Sequence, residues 1–236
     1  MEKEKYKENF MKDFLKAYKL YFKSAYSPIL IGVSVIFNVF TCVALIFGNA
    51  KITDNDYMSM IGTIGMSNCF LIIWLISGKP IIANNKFFLS ASCNKALFTT
   101  APIAAGLTVE MIYSTILITV SYFALERAAL PDVIIILAFN MVFSSFIISM
   151  ANMPKMLVPF IISYILLFSQ PVIFNHNYFK GIKGFGFELP QAVLIAAVML
   201  VVGIGLNIIV MNLWWNKSGR SFKIEPQKNV LVFGNK

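Results

Sequence analysis

The sequence predicts an all-α integral membrane protein: six transmembrane helices preceded by an amphipathic interfacial helix, with both termini cytoplasmic. Three observations predict it. Of 236 residues, 58% are hydrophobic and only 13% charged, with mean hydropathy +0.74, where a soluble domain carries about 25% charged residues. Six apolar runs approach or reach the roughly 20 residues that cross a bilayer. The basic residues are concentrated in alternate connections. With both termini inside, cytoplasmic segments hold 16 of the 20 Lys and Arg, and only Lys51, Arg127, Lys180 and Lys183 lie outside. Lys and Arg bias sets orientation, and acids contribute little. The formal net charge of +9 therefore reads as membrane orientation and not as a nucleic-acid footprint.

Residues 1–27 come first. Phe10, Phe14, Tyr18 and Tyr21 recur on one side of a helical wheel. Lys12, Lys16, Lys19 and Lys23 recur on the other. Such a helix lies along a bilayer surface, rings in the headgroup layer and ammonium groups near anionic lipid. The alternative is a solvated leader. Charged residues precede the first apolar run, unlike a signal peptide, so the first span is expected to be retained.

Spans are expected at about 29–47, 57–77, 103–123, 133–150, 156–173 and 192–213, forming a transmembrane domain over 28–215. Ser27-Pro28 turns the chain into the membrane. Pro159 and Pro171 predict bends in the fifth span, because proline removes a ladder hydrogen bond. Residues 174–190 mix aromatics with glycines, as an interfacial or re-entrant segment does. Trp214 and Trp215 mark the inner end of span six. Residues 216–236 form a cytoplasmic tail too short for a domain.

Residues 79–102 are the most informative connection. They carry Lys79, Lys86 and Lys95 and no acid, so the loop is cytoplasmic. Phe87, Phe88 and Leu89 sit among polar residues. A loop both polar and locally apolar predicts docking of a soluble partner. A loop resting on lipid is the competing reading.

Within the membrane, Glu110 lies about two turns into span three. A carboxylate at mid-span costs about 2.5–3.5 kcal/mol on insertion scales. Two readings stand: a cargo or proton contact, or a group near the inner boundary bonded to a neighbouring helix. Asn38, Asn68, Asn140 and Asn207 lie one each in spans one, two, four and six, with Ser144 and Ser145 beside Asn140. They serve as interhelical glue unless they converge.

Several chemistries are excluded. There is no G-x-x-x-x-G-K-[ST], so no P-loop holds ATP on this chain. The single histidine, His176, falls in an outer loop, which excludes an HExxH zinc site and a histidine base inside the membrane. No metal site is expected. Cys42, Cys69 and Cys93 have no C-x-x-C spacing. Gly62-Thr-Ile-Gly-Met-Ser67 is mid-span and not a nucleophile elbow.

The layout resembles the type-2 ABC exporter permease subunits. A basic amphipathic helix (5–26) precedes span one, a positive inner loop (79–102) joins spans two and three, and a longer outer segment precedes span six. The stretch KFFLSASCNKALFTTAP is similar to the pattern that leads into span three of short bacterial permeases, with the usual proline replaced near Ala91. The resemblance implies a coupling helix at 84–96 that fits a groove on an ABC ATPase subunit. Phe87, Phe88 and Leu89 would then be the apolar grip, and Lys86, Asn94 and Lys95 the polar rim. It implies no cofactor on this chain, with ATP and Mg on the partner, and a second permease chain as homodimer or related heterodimer. Short permeases similar to this one handle lantibiotic or toxin peptides, and others move lipids or drugs. The competing expectations are a substrate-binding membrane subunit of a vitamin importer, a non-transporting membrane scaffold and, least supported by the residues, an intramembrane enzyme.

Overall fold

The structure is a computed structural model and describes residues 2–47, 64, 68–77, 93–124, 130–152, 161, 165 and 186–222. Among these there is helix and no strand. The elements are α1 (Glu2–Ser24), α2 (Pro28–Phe47), α3 (68–76), α4 (Asn94–Phe98), α5 (Thr100–Ala124), α6 (Leu130–Asn152) and α7 (Leu189–Phe222). Three of them, α5, α6 and α7, are each long and apolar enough to cross a membrane. Helices α1 and α2 pass that test only together, and they meet at 87°.

The helix ends follow local chemistry. Ser27 caps α2: its backbone carbonyl accepts from the Ile31 N–H at 2.9 Å, and its hydroxyl lies 3.5 Å from the Leu30 nitrogen. Pro28 at the first helical position has no N–H to leave unpaired. At the start of α7, Gln191 reaches back to accept from the Glu188 backbone N–H at 3.1 Å, half of a capping box. Helix α5 begins at Thr100, three residues before the expected start after Pro102. Proline within a first turn costs no ladder bond, so Pro102 does not delay the helix. Helix α7 runs to Phe222, past the boundary at Asn216 where the tail was expected. The apolar run ends there, but backbone hydrogen bonding continues.

Helix directions can be read from facing residues. Gly106 faces Ile148 and Glu110 meets Ser144. One number rises as the other falls, so α5 and α6 are antiparallel. Tyr113 bonds the Ile64 carbonyl and Glu110 touches Asn68, so the second apolar run is antiparallel to α5. Gly203 faces Val142 and Asn207 bonds Ser145, so α6 and α7 run parallel. A chain of six spans needs a return crossing between α6 and α7. The apolar run 156–173 that would supply it lies, apart from two residues, outside the described residues.

The core has two centres. One gathers Ala17, Tyr21, Leu75, Ile76, Leu97, Phe98, Ala101, Ile148, Met211 and Trp215. These come from α1, α4, the end of α3, the start of α5 and the ends of α6 and α7, so the centre lies at one end of the bundle. The other gathers Ile64, Leu71, Tyr113, Leu117, Val133 and Leu137, toward the opposite end. Helix α6 is the most enclosed span and α7 the least. Most side chains of α7, from Val193 to Leu213, point away from the protein, as apolar groups in contact with lipid do.

Candidate functional site

Two neighbourhoods carry the chemistry. The first is the corner where α1 meets the bundle. Lys12, Lys16, Lys19 and Lys23 are exposed along one side of α1. Phe14 and Tyr18 are half-buried, their ring centroids 6.2 Å apart, and Tyr18 meets Phe22 edge-on at 5.0 Å. The side chain of Phe10 lies outside the described residues. Tyr21 departs from the expected place in a headgroup layer: it is 0% exposed, and its hydroxyl donates to the Leu75 carbonyl at 3.0 Å. The reason is that the ring finds a packed slot against the bundle and the hydroxyl finds an acceptor there. Trp74 returns the favour, its indole N–H donating to the Ala25 carbonyl at 2.9 Å. Tyr18 donates to Thr108 of α5 at 3.0 Å. The basic face therefore looks outward, while the aromatic face is largely packed on protein.

Helix α4 packs on α1 and leads into α5. Its Leu97 and Phe98 are buried, and Phe98 stacks on Trp215 of α7 at 5.9 Å. Cys93, just before it, is also buried, with Lys16 and Asp13 of α1 close enough to act on its thiol. Burial pushes that thiol above its ordinary value, and the Lys16 ammonium opposes the shift. Of the residues expected to dock a partner, Lys86, Phe87, Phe88 and Leu89 lie outside the described residues. Lys95 is exposed. Asn94 is buried at the start of α4, so it faces protein instead of forming a rim.

The second neighbourhood is a polar junction inside the bundle. Glu110, Asn68 and Ser144 are each at most 1% exposed, and they meet although they come from three apolar segments. One end of the Asn68 amide lies 2.8 Å from Ser144 Oγ. The other end touches Glu110 Oε1 and lies 2.9 Å from Oε2. With its nitrogen turned to Glu110, Asn68 donates to both carboxyl oxygens and accepts from the Ser144 hydroxyl. Ser144 also lies within hydrogen-bond reach of Glu110 itself. No Lys, Arg or His occurs in 57–77, 103–123, 133–150 or 192–213. Among the described residues, the neutral side chains of Asn68 and Ser144 hold the carboxyl.

On the next residue of α6, Ser145 Oγ accepts from Asn207 Nδ2 of α7 at 3.2 Å and donates to the Val142 carbonyl at 2.8 Å. Asn38 instead donates to Ser34 of its own helix at 2.6 Å. The amides anticipated as glue do converge in part: Asn68 with Glu110 and Ser144, Asn207 with Ser145. Along α5, Glu110 lies ten residues from Thr100 and fourteen from Ala124, about 15 Å and about 21 Å along the axis. It sits in the half of the bundle nearer α1.

Spacing alone did not mark Tyr21 as a buried clamp, nor Trp74 as its counterpart. Among the described residues no group of three or more His, Cys, Asp or Glu is placed to hold a metal ion. Compared with family models, with curated proteins and with solved structures, the chain matches none.

Proposed function

We propose that this chain is the membrane-spanning permease subunit of an ATP-driven ABC exporter. In this reading it has six spans and both termini on the cytoplasmic side. ATP and Mg bind a separate ABC ATPase, and a second permease chain completes the pathway. The cargo is an amphipathic or antimicrobial peptide, a lipid or a drug.

One observation carries the reading. Helix α1 crosses α2 at 87° and packs on α4, which begins with Asn94 and Lys95 of the stretch expected to dock the ATPase. Through Tyr21 and Leu75, and through Phe98 and Trp215, that corner joins the inner ends of three apolar segments. A displacement of α4 would reach α1, α5 and α7 by direct packing. A bundle that couples to an outside energy source needs such a continuous path, and a passive scaffold does not. The basic exposed side of α1 agrees with the same orientation.

The test is Phe87→Asp with Phe88→Asp in the full chain, expressed with the ABC ATPase of its own host. We expect a large loss of ATPase recovered with the purified chain. Undiminished recovery counts against docking at this loop.

A further inference from the structure

We propose that Glu110, Asn68 and Ser144 form a proton-binding site inside the bundle, in which the Asn68 amide turns over when the proton arrives. The inference goes beyond transport by an ATPase and does not rest on it.

The argument is one of donors and acceptors. Asn68 offers two N–H donors at one end and an acceptor at the other. Its two orientations present the same outline to the protein. In the first, Glu110 is a carboxylate. The Asn68 nitrogen donates to Oε1 and Oε2, and the Ser144 hydroxyl donates to the amide oxygen. In the second, Glu110 carries one proton on Oε1 and donates it to the amide oxygen. Nδ2 then donates to Ser144 Oγ at 2.8 Å. The Ser144 hydroxyl, freed from the amide, is then available to the Glu110 carboxyl beside it. The three residues close a ring.

The two states differ by one proton and a half-turn of one amide. In both, each of the three groups keeps a polar partner, which matters because a buried polar group left without one is destabilising. A static clasp needs only one of these patterns. A lysine or arginine beside Glu110 would fix the carboxylate, and none is present in the packed segments. The titratable neighbours are Cys69 on α3, Tyr113 on α5 itself, Cys42 on α2, and Tyr18 of α1 at Thr108. Tyr113 and Tyr18 spend their protons on Ile64 and Thr108. Helices α6 and α7 present no titratable side chain in 133–150 or 192–213. Lys12, Lys16, Lys19 and Lys23 of α1 are on its exposed side.

The test is infrared difference spectroscopy of the full chain in liposomes, stepped between about pH 5 and about pH 9. We expect a carboxylic C=O band that grows as pH falls, together with a change in a side-chain amide band. Glu110→Gln should abolish both changes while leaving the fold intact, since glutamine fits the same donors and acceptors. Ser144→Ala keeps the carboxyl but opens the ring, and should change the proton affinity about tenfold. A Glu110-dependent band that does not vary over the range overturns the proposal and leaves a fixed clasp. A band that varies identically in Ser144→Ala also overturns it, because the ring then plays no part.

Discussion

Gly203 of α7 gives the sharpest test of how the bundle is packed. A Cβ placed there would lie 2.4 Å from Val142 Cγ1, 2.8 Å from Cγ2 and 3.2 Å from Val142 Cβ. Carbon atoms are comfortable at about 3.5–4.0 Å, so the nearest contact falls short by more than about 1 Å. Turning Val142 does not relieve it. A valine in a helix has one strongly preferred rotamer, and its own Cβ is already too close. Helix α7 must therefore move off α6, loosening the Asn207–Ser145 bond one turn away. Overpacking of this kind costs about 1–3 kcal/mol. Gly205, two residues on, meets nothing within 4 Å. There alanine should be neutral or should gain up to about 1 kcal/mol of helix propensity. The assay is denaturant unfolding of the detergent-solubilised chain followed by tryptophan fluorescence. We expect Gly203→Ala to unfold earlier, Gly205→Ala to match or exceed the parent, and Gly203→Ala with Val142→Ala to recover most of the loss. If both glycine variants unfold with the parent, the α6–α7 interface described above is wrong.

Two further outcomes are expected. Tyr21→Phe should cost about 0.5–1.5 kcal/mol by removing the bond to the Leu75 carbonyl, and Tyr21→Ala about 3–5 kcal/mol, read as earlier unfolding through the adjacent Trp74. A ring lying in lipid would instead leave bundle stability unchanged. Burial raises the Cys93 thiol above its ordinary 9.0. The folded state therefore favours the protonated form, and the associated stability is complete below that ordinary value and lost as pH rises through the folded one. In a chain lacking Cys42 and Cys69, alkylation of Cys93 should set in at higher pH than for a free thiol, and later still in Lys16→Gln. A rate that tracks a free thiol would refute the assignment.

The apolar segments were legible because hydropathy reports the solvent directly. Helices α2, α5, α6 and α7 fall on four of the expected spans, α2 longer by Pro28 alone and α7 running on well past its apolar stretch to Phe222. The basic side of α1 was equally plain, since its lysines repeat at helical spacing. What periodicity could not supply was which faces meet. Helices in lipid are apolar nearly all round, so no stripe tells Glu110 that its partners are Asn68 and Ser144. Tyr21 looked like any interfacial ring because an aromatic side chain suits headgroups and protein slots alike. Only the fixed distance to the Leu75 carbonyl separates the two.

The square corner between α1 and α2 has a consequence for how the molecule is built. Its fastenings, the Leu75 carbonyl and the Trp74 indole, are about fifty residues downstream of the groups they hold. A ribosome has already delivered α1 and α2 before either fastening emerges. The leading helix must wait until Trp74 and Leu75 have been made, and only then can it seat. A nascent chain cut short before Trp74 would leave its amino-terminal helix open to protease.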